Sequence, residues 1–284
     1  MLGLGGAALP HITIVPTAQE VSSQSLLFPE SDPGTPLRTD PLSVPPVVVI
    51  DALRATSTIA SGLAAGVLGV IPVATVEEAR SRRTEGTLLA GERGGDRLPG
   101  FDFGNSPVEI RAATGRLVVL TTTNGTLATR RVAEAAGTGG VGRALPTIFA
   151  GAFVNRTRVA DALVREDRGA ILVCSGQDGH PAAEDLLAAG SLIARLPASW
   201  TRDDLSVVAE WAFLGAIQGL MGATVQESLG RAIRRCPHGA TLEQKGYDAD
   251  LTACAELDAI DVLPVLERQG DDLLFVVAAE GHGR

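Results

Sequence analysis

The chain has 284 residues, 45% of them hydrophobic and 33 of them glycine, enough to bury a full core as one large α/β domain. A formal charge of −9 repels polyanions, no basic block marks a nucleic-acid footprint, and an aromatic content of 4% leaves few stacking platforms for single strands. Three widely spaced cysteines, Cys174, Cys236 and Cys254, argue against a disulfide framework. They fit a reducing cytoplasm, as does a start whose first basic residue is Arg38.

In chain order, His11 to Pro16 reads as a short first strand. Residues 22–46, with six prolines, read as a long surface loop, either a disordered insertion or an active-site flap. From Val47 onward strand and helix signals alternate, the pattern of a βαβ sheet. Val47 to Ile50 is a strand, Thr56 to Gly66 a helix with Ile59, Leu63 and Val67 on one stripe, and Val70 to Val73 the next strand. The uncharged run from Ala55 to Val76 is broken by Thr, Ser, Gly and Pro, so it reads as helix, loop and strand and not as a membrane span. Thr75 with Glu78 forms a capping-box pattern, Asn124 is placed to cap a helix through Ala136, and Asn155 one through Arg165. Residues 200–272 read as mainly helical, with an apolar helix opened by Asp203-Asp204 and running through Leu220, another from Thr224 to Arg235, and shorter ones from Ala240 to Asp258 broken at Gly246. Leu273 to Ala278 is expected to be a final strand. The expected fold is a single-domain, three-layer α/β/α unit with a mostly parallel or mixed sheet and a helix-rich C-terminal third.

The chemistry is concentrated at strand ends. Asp51 follows Val47-Val48-Val49-Ile50, and a carboxylate is costly to bury, so it belongs at an open sheet edge where ligands or metals meet it. Apolar runs likewise lead into Glu92 and Arg93, into Thr121-Thr122-Thr123-Asn124-Gly125, into Asn155, and into Ser175-Gly176-Gln177-Asp178-Gly179. If these strands are parallel neighbours, their tips converge on one crevice. Asp51 and Glu92 are the candidate metal ligands. Acids and amides are hard oxygen donors, which suit Mg²⁺ with retained waters, whereas four scattered histidines lack the spacing of a zinc site. Arg54 and Arg93 stand beside these acids either as plain ion pairs or as an anion clamp, and the Thr121 to Gly125 turn at a helix start can cradle phosphate. Glu184 and Asp185 open a helix, and one of the two is expected to face the crevice.

Two familiar phosphatase patterns fail. The second acid of D-x-D-x-[TV] is replaced by Leu53, and C-x5-R fails because the sixth residue after Cys174 is His180. Cys174 therefore reads as a small wall residue and not as a nucleophile.

The run Val47 to Thr58, the stretches Gly91 to Gly95 and Pro99 to Pro107, the turn Thr121 to Thr126, Cys174-Ser175-Gly176 with Glu184-Asp185, and Gly246 to Leu251 together resemble the 2-phosphosulfolactate phosphatases. The resemblance implies a Mg²⁺-dependent phosphatase that hydrolyses 2-phospho-3-sulfolactate, a step towards coenzyme M. It implies an α/β/α fold of its own kind and homodimers. On that reading Asp51, Arg54, Glu92, Arg93 and Asn124 carry catalysis, and Asn105, Ser106, Thr121, Thr122, Thr123, Asn155 and Glu184 contact the substrate.

Overall fold

A computed structural model describes residues 9–22, 26, 44–136, 145–218 and 223–279. Most of the proline-rich stretch 22–46 lies outside the described residues. The strands are β1 (His11–Val15), β2 (Val47–Ile50), β3 (Gly69–Pro72), β4 (Thr87–Arg93), β5 (Asp96–Arg97), β6 (Leu117–Thr121), β7 (Ile148–Gly151), β8 (Ala170–Cys174), β9 (Thr201–Arg202), β10 (Pro264–Gln269) and β11 (Asp272–Val277). The helices are α1 (Ala55–Ala64), α2 (Val76–Ser81), α3 (Gly125–Ala136), α4 (Arg156–Glu166), α5 (Ala183–Ile193), α6 (Asp204–Gln218), α7 (Val225–Arg235), α8 (Pro237–Gln244) and α9 (Asp248–Ala255).

The mixed sheet has the order β5-β4-β6-β3-β11-β10-β7-β2-β8-β1-β9. Both faces are covered. Along β2, Val48 and Ile50 point into the cluster that includes α4, α5 and α6, while Val47 and Val49 point into the one that includes α1 and α3. This period-2 division of an all-apolar strand is what makes three α/β/α layers.

The sheet consists of two parallel halves joined by an antiparallel hairpin. β4, β6 and β3 run parallel, as do β7, β2, β8, β1 and β9. The β10–β11 hairpin joins them through one registered pair on each side, Val265 with Phe149 and Phe275 with Val70. β10 is a strand that the sequence reading, with Leu273 to Ala278 as its one C-terminal strand, did not include. Gly270, at a φ of 62°, marks its turn.

β2 and β6 are not neighbours, since β3, β11, β10 and β7 stand between them. At roughly 4.8 Å per strand a flat sheet would hold them some 24 Å apart. Yet Gly125, just past β6, lies against Asp51, just past β2. The sheet curls around α1, which touches β3, β7, β10 and β11 and is buried from Ala55 to Leu63. Only a helix of Ala, Ser, Thr and Gly with few large side chains is thin enough for that position. Curling, not adjacency, brings the two sets of strand tips together.

The C-terminal helices α7, α8 and α9 add Leu229, Ile233, Leu242 and Leu251 to the core beside α5 and α6. Gly190 permits the close contact of α5 with α6, because a Cβ there would stand 2.0 Å from the Ala209 carbonyl oxygen.

Candidate active site

The curled edges enclose a cavity of about 140 Å³ lined by Asp51, Leu53, Arg54, Glu92, Gly94, Gly95, Asn105, Thr123, Asn124, Gln177, Asp178 and His238. Six expected site residues are thus gathered: Asp51, Arg54, Glu92, Asn105, Thr123 and Asn124.

Asp51 ends β2 and is 7% exposed. Its Oδ1 accepts the Ala55 N–H at 3.0 Å, fixing the carboxylate at the start of α1. Among the described residues, no hydrogen bond reaches Oδ2. Burial pushes this acid up to about 6, the Glu92 and Glu184 charges add to the rise, and the Ala55 N–H and Arg54 oppose it.

Glu92 sits near the end of β4, where Gly94 and Gly95, both at positive φ, turn the chain into β5. One carboxylate oxygen accepts the Gly95 N–H at 2.7 Å, and the other accepts the Thr123 N–H at 2.9 Å and its hydroxyl at 3.1 Å. Glu92 thereby ties the β4 turn to the β6 turn.

Arg54 is 2% exposed and heavily braced. It donates to Asp250 Oδ2 at 2.5 Å and to the Gly95 carbonyl at 2.7 Å, and its guanidinium lies 4.3 Å from the centre of the Tyr247 ring. Ser106 stands behind it, donating to Asp250 Oδ1 at 2.6 Å. Among the described residues, the bonds to Asp250 and Gly95 are the hydrogen bonds that the Arg54 guanidinium makes.

Other expected residues do not line the cavity. Arg93 donates to the Glu92 carbonyl at 2.6 Å and to Thr121 Oγ1 at 3.1 Å, so it closes the β4–β6 edge. Thr122 and Thr126 exchange hydroxyl and backbone bonds at the start of α3. The expected cap from Asn124 is therefore supplied by Thr122, while the Asn124 amide donates to Gln177 at 3.3 Å. Asn155, fully buried, does not cap α4 with its side chain. It accepts the Ala152 N–H and donates to the Ala150 carbonyl, locking the end of β7.

Glu184 and Asp185 lie behind Asp51, each 3% exposed. Asp185 accepts N–H groups from Ala52 at 2.9 Å and Gly176 at 3.0 Å, so one carboxylate clamps the tips of β2 and β8. Burial raises both acids, strongly for Asp185, where the Asp51 and Glu184 charges add to it. Burial also pushes the Cys174 thiol well above its ordinary value, reinforced by Asp185 and Glu184, which makes it a poor nucleophile.

Gln177 and Asp178 line the cavity from a strand tip that the sequence placed at the crevice without a role, whereas His238 as a lining residue and Asp250 and Tyr247 as the brace of Arg54 were not legible there. The His238 imidazole is lowered from its ordinary value, first by burial and then by Arg54. Local spacing carries no signal for it, since it lies far along the chain from Asp51.

The cavity carries Asp51, Glu92 and Asp178 against one permanent cation, Arg54. A phosphate ester in this cavity would face three carboxylates and one guanidinium. The donors fit a hard ion: Asp51 Oδ2 is free of hydrogen bonds among the described residues, and Asn105 Oδ1 is buried without a partner. No three His, Cys, Asp or Glu side chains form a protein-only cage among the described residues, and Mg²⁺ needs none, since it binds through one or two carboxylates and keeps its waters.

A small acidic cavity at the carboxyl ends of parallel strands, with one braced guanidinium, defines an α/β protein with a candidate site for a small polar ligand. The chain belongs to the 2-phosphosulpholactate phosphatase family, whose family model matches residues 36–269. It is 37% identical over 220 residues to a probable 2-phosphosulfolactate phosphatase of Carboxydothermus hydrogenoformans, covering 77% of this chain and 84% of that one. Similar proteins of the same description occur in Thermotoga petrophila, 36% identical with 80% and 91% covered, and in Deinococcus radiodurans, 37% identical with 80% and 89% covered.

Proposed function

We propose that this chain is a cytoplasmic, Mg²⁺-dependent phosphatase that hydrolyses 2-phospho-3-sulfolactate to 3-sulfolactate and phosphate, on the route to coenzyme M, and that it works as two copies. The activity is the one its relatives' names carry. The observation that supports it is the meeting of Asp51, Glu92 and Arg54 in one cavity that has too little positive charge to hold a phosphate ester unaided.

Asp51 and Glu92 would hold the ion. When bound, Mg²⁺ supplies charge neutralisation at the phosphoryl oxygens and a water of lowered pKa. Arg54, already held by Asp250, Gly95 and Tyr247, offers its remaining N–H donors to the transferring phosphoryl group without reorganising. Asn105, Asn124 and the Thr123 hydroxyl, which share the cavity lining, orient the ester. Leu53 helps to exclude water.

A second reading is a phosphatase of the same scaffold for a small phospho-acid without sulfonate. It is favoured by the position of Arg93, whose guanidinium is engaged by Glu92 and Thr121 outside the cavity lining and so leaves Arg54 as the single guanidinium there. Phosphate release from a panel of phospho-acids, with and without sulfonate and with Mg²⁺ or a chelator, separates the two. Folded protein that releases phosphate from none of them would remove both.

A further inference from the structure

Helix α6 is apolar on both sides. Its inner side packs Ala209 and Phe213 into the core, while its outer side carries Val208 at 54% exposure, Trp211 at 68% and Leu214 at 39%. A surface helix ordinarily turns polar groups outward, and one that is apolar all round is made to be covered. Beside it, α6 and α7 bound a groove of about 480 Å³ lined by Gly215, Ala216, Gln218, Ser228, Arg231 and Arg235.

We propose that this face binds a second copy of the chain, with α6 antiparallel to the partner's α6 and Trp211 entering the partner's groove. The inference rests on the two-copy reading above and adds the face that forms the contact. A two-fold axis that crosses α6 between Trp211 and Gly215 sets Trp211 opposite the partner's groove and the first half of one helix against the second half of the other. The first turn presents the exposed Asp204, whereas the far end is flanked by Arg231 and Arg235 on α7. Opposite charges therefore meet twice across the axis. The groove also suits an indole, because guanidinium groups pack on aromatic faces and Gly215 leaves open space, with nothing within 4 Å of a Cβ built there. A lipid surface fits less well, since an interfacial helix is flanked by Lys and Arg and this one begins with Asp203 and Asp204.

Sedimentation velocity on the full chain tests this, with thermal unfolding as the folding control. The wild type is expected to sediment as two chains, and Trp211→Glu as one, with association weakened about a hundredfold or more and a single cooperative unfolding transition retained. Asp204→Arg should weaken association, and adding Arg235→Asp should recover it. A Trp211→Glu variant that stays dimeric would overturn this face while leaving the two-copy reading intact. A wild type that is a single chain at all concentrations would remove both. Failure of the charge-swapped double variant to recover would overturn the antiparallel arrangement.

Discussion

Gly125 stands against Asp51 across the fold of the sheet: a Cβ at position 125 would fall 2.5 Å from Asp51 Oδ2 and 2.6 Å from the Ala55 Cβ. The start of α3 and the tip of β2 approach this closely only because glycine has no side chain. Gly125→Ala should therefore push α3 away from the carboxylate, costing about 1–3 kcal/mol of stability and most of the phosphate release. Normal turnover in Gly125→Ala, measured as phosphate released per folded chain, would show that the contact does not shape the site.

Asp51→Asn is expected to abolish Mg²⁺-dependent turnover and yet stabilise the metal-free protein at pH 7. The sign follows from the raised carboxyl, at about 6 against 3.8 unperturbed. The folded state holds the proton more tightly, so this group's contribution is full below about pH 4 and is lost as pH rises through about 6. Removing the charge should recover about 2–3 kcal/mol at neutral pH, an order-of-magnitude figure. Chemical denaturation of both proteins in chelator at pH 5 and pH 8 checks it, because the difference must be larger at pH 8.

Arg54→Lys keeps a charge but loses the fork to Asp250 and Gly95 and the stacking on Tyr247. A fall of roughly 10²-fold in kcat/KM is expected. Arg93→Lys, which changes only the contacts to the Glu92 carbonyl and Thr121, should cost less. Equal losses in the two variants would contradict the placement of Arg54 alone in the cavity wall.

Asp250→Asn leaves the buried Arg54 without its counter-charge. Breaking a buried pair from one side costs about 3–5 kcal/mol. A fall in melting temperature with little change in Asp250→Asn/Arg54→Met would assign the cost to the stranded guanidinium.

Cys174→Ser should keep substantial activity, since burial and two nearby acids hold the thiol protonated. Loss of a buried apolar contact to a hydroxyl should lower stability by about 1–2 kcal/mol. A folded but inactive variant, or a phosphocysteine trapped on acid quench, would move the nucleophile from solvent to protein.

The sequence by itself determined the layers and the strand tips. Val47 to Ile50 reads as a strand covered on both faces, and the acid directly after it as a residue of the sheet's carboxyl edge, because local hydrophobic period acts over a few residues, whereas only the fold shows that Asp51 is buried there. Thr75 capping α2 through the Glu78 N–H was legible for the same reason. The tertiary structure alone decided which tips meet. Asp51 and Glu92 share a cavity through a sheet that curls around α1, and their strands are separated by others that no local pattern orders. It also decided that Arg93 turns to the Thr121 hydroxyl while Arg54 is gripped by Asp250 and Tyr247, and that His238 arrives from α8. Adjacent residues carry equal signals in a sequence, but the direction of a side chain and the partner that satisfies its charge depend on long-range packing, which composition and spacing do not encode.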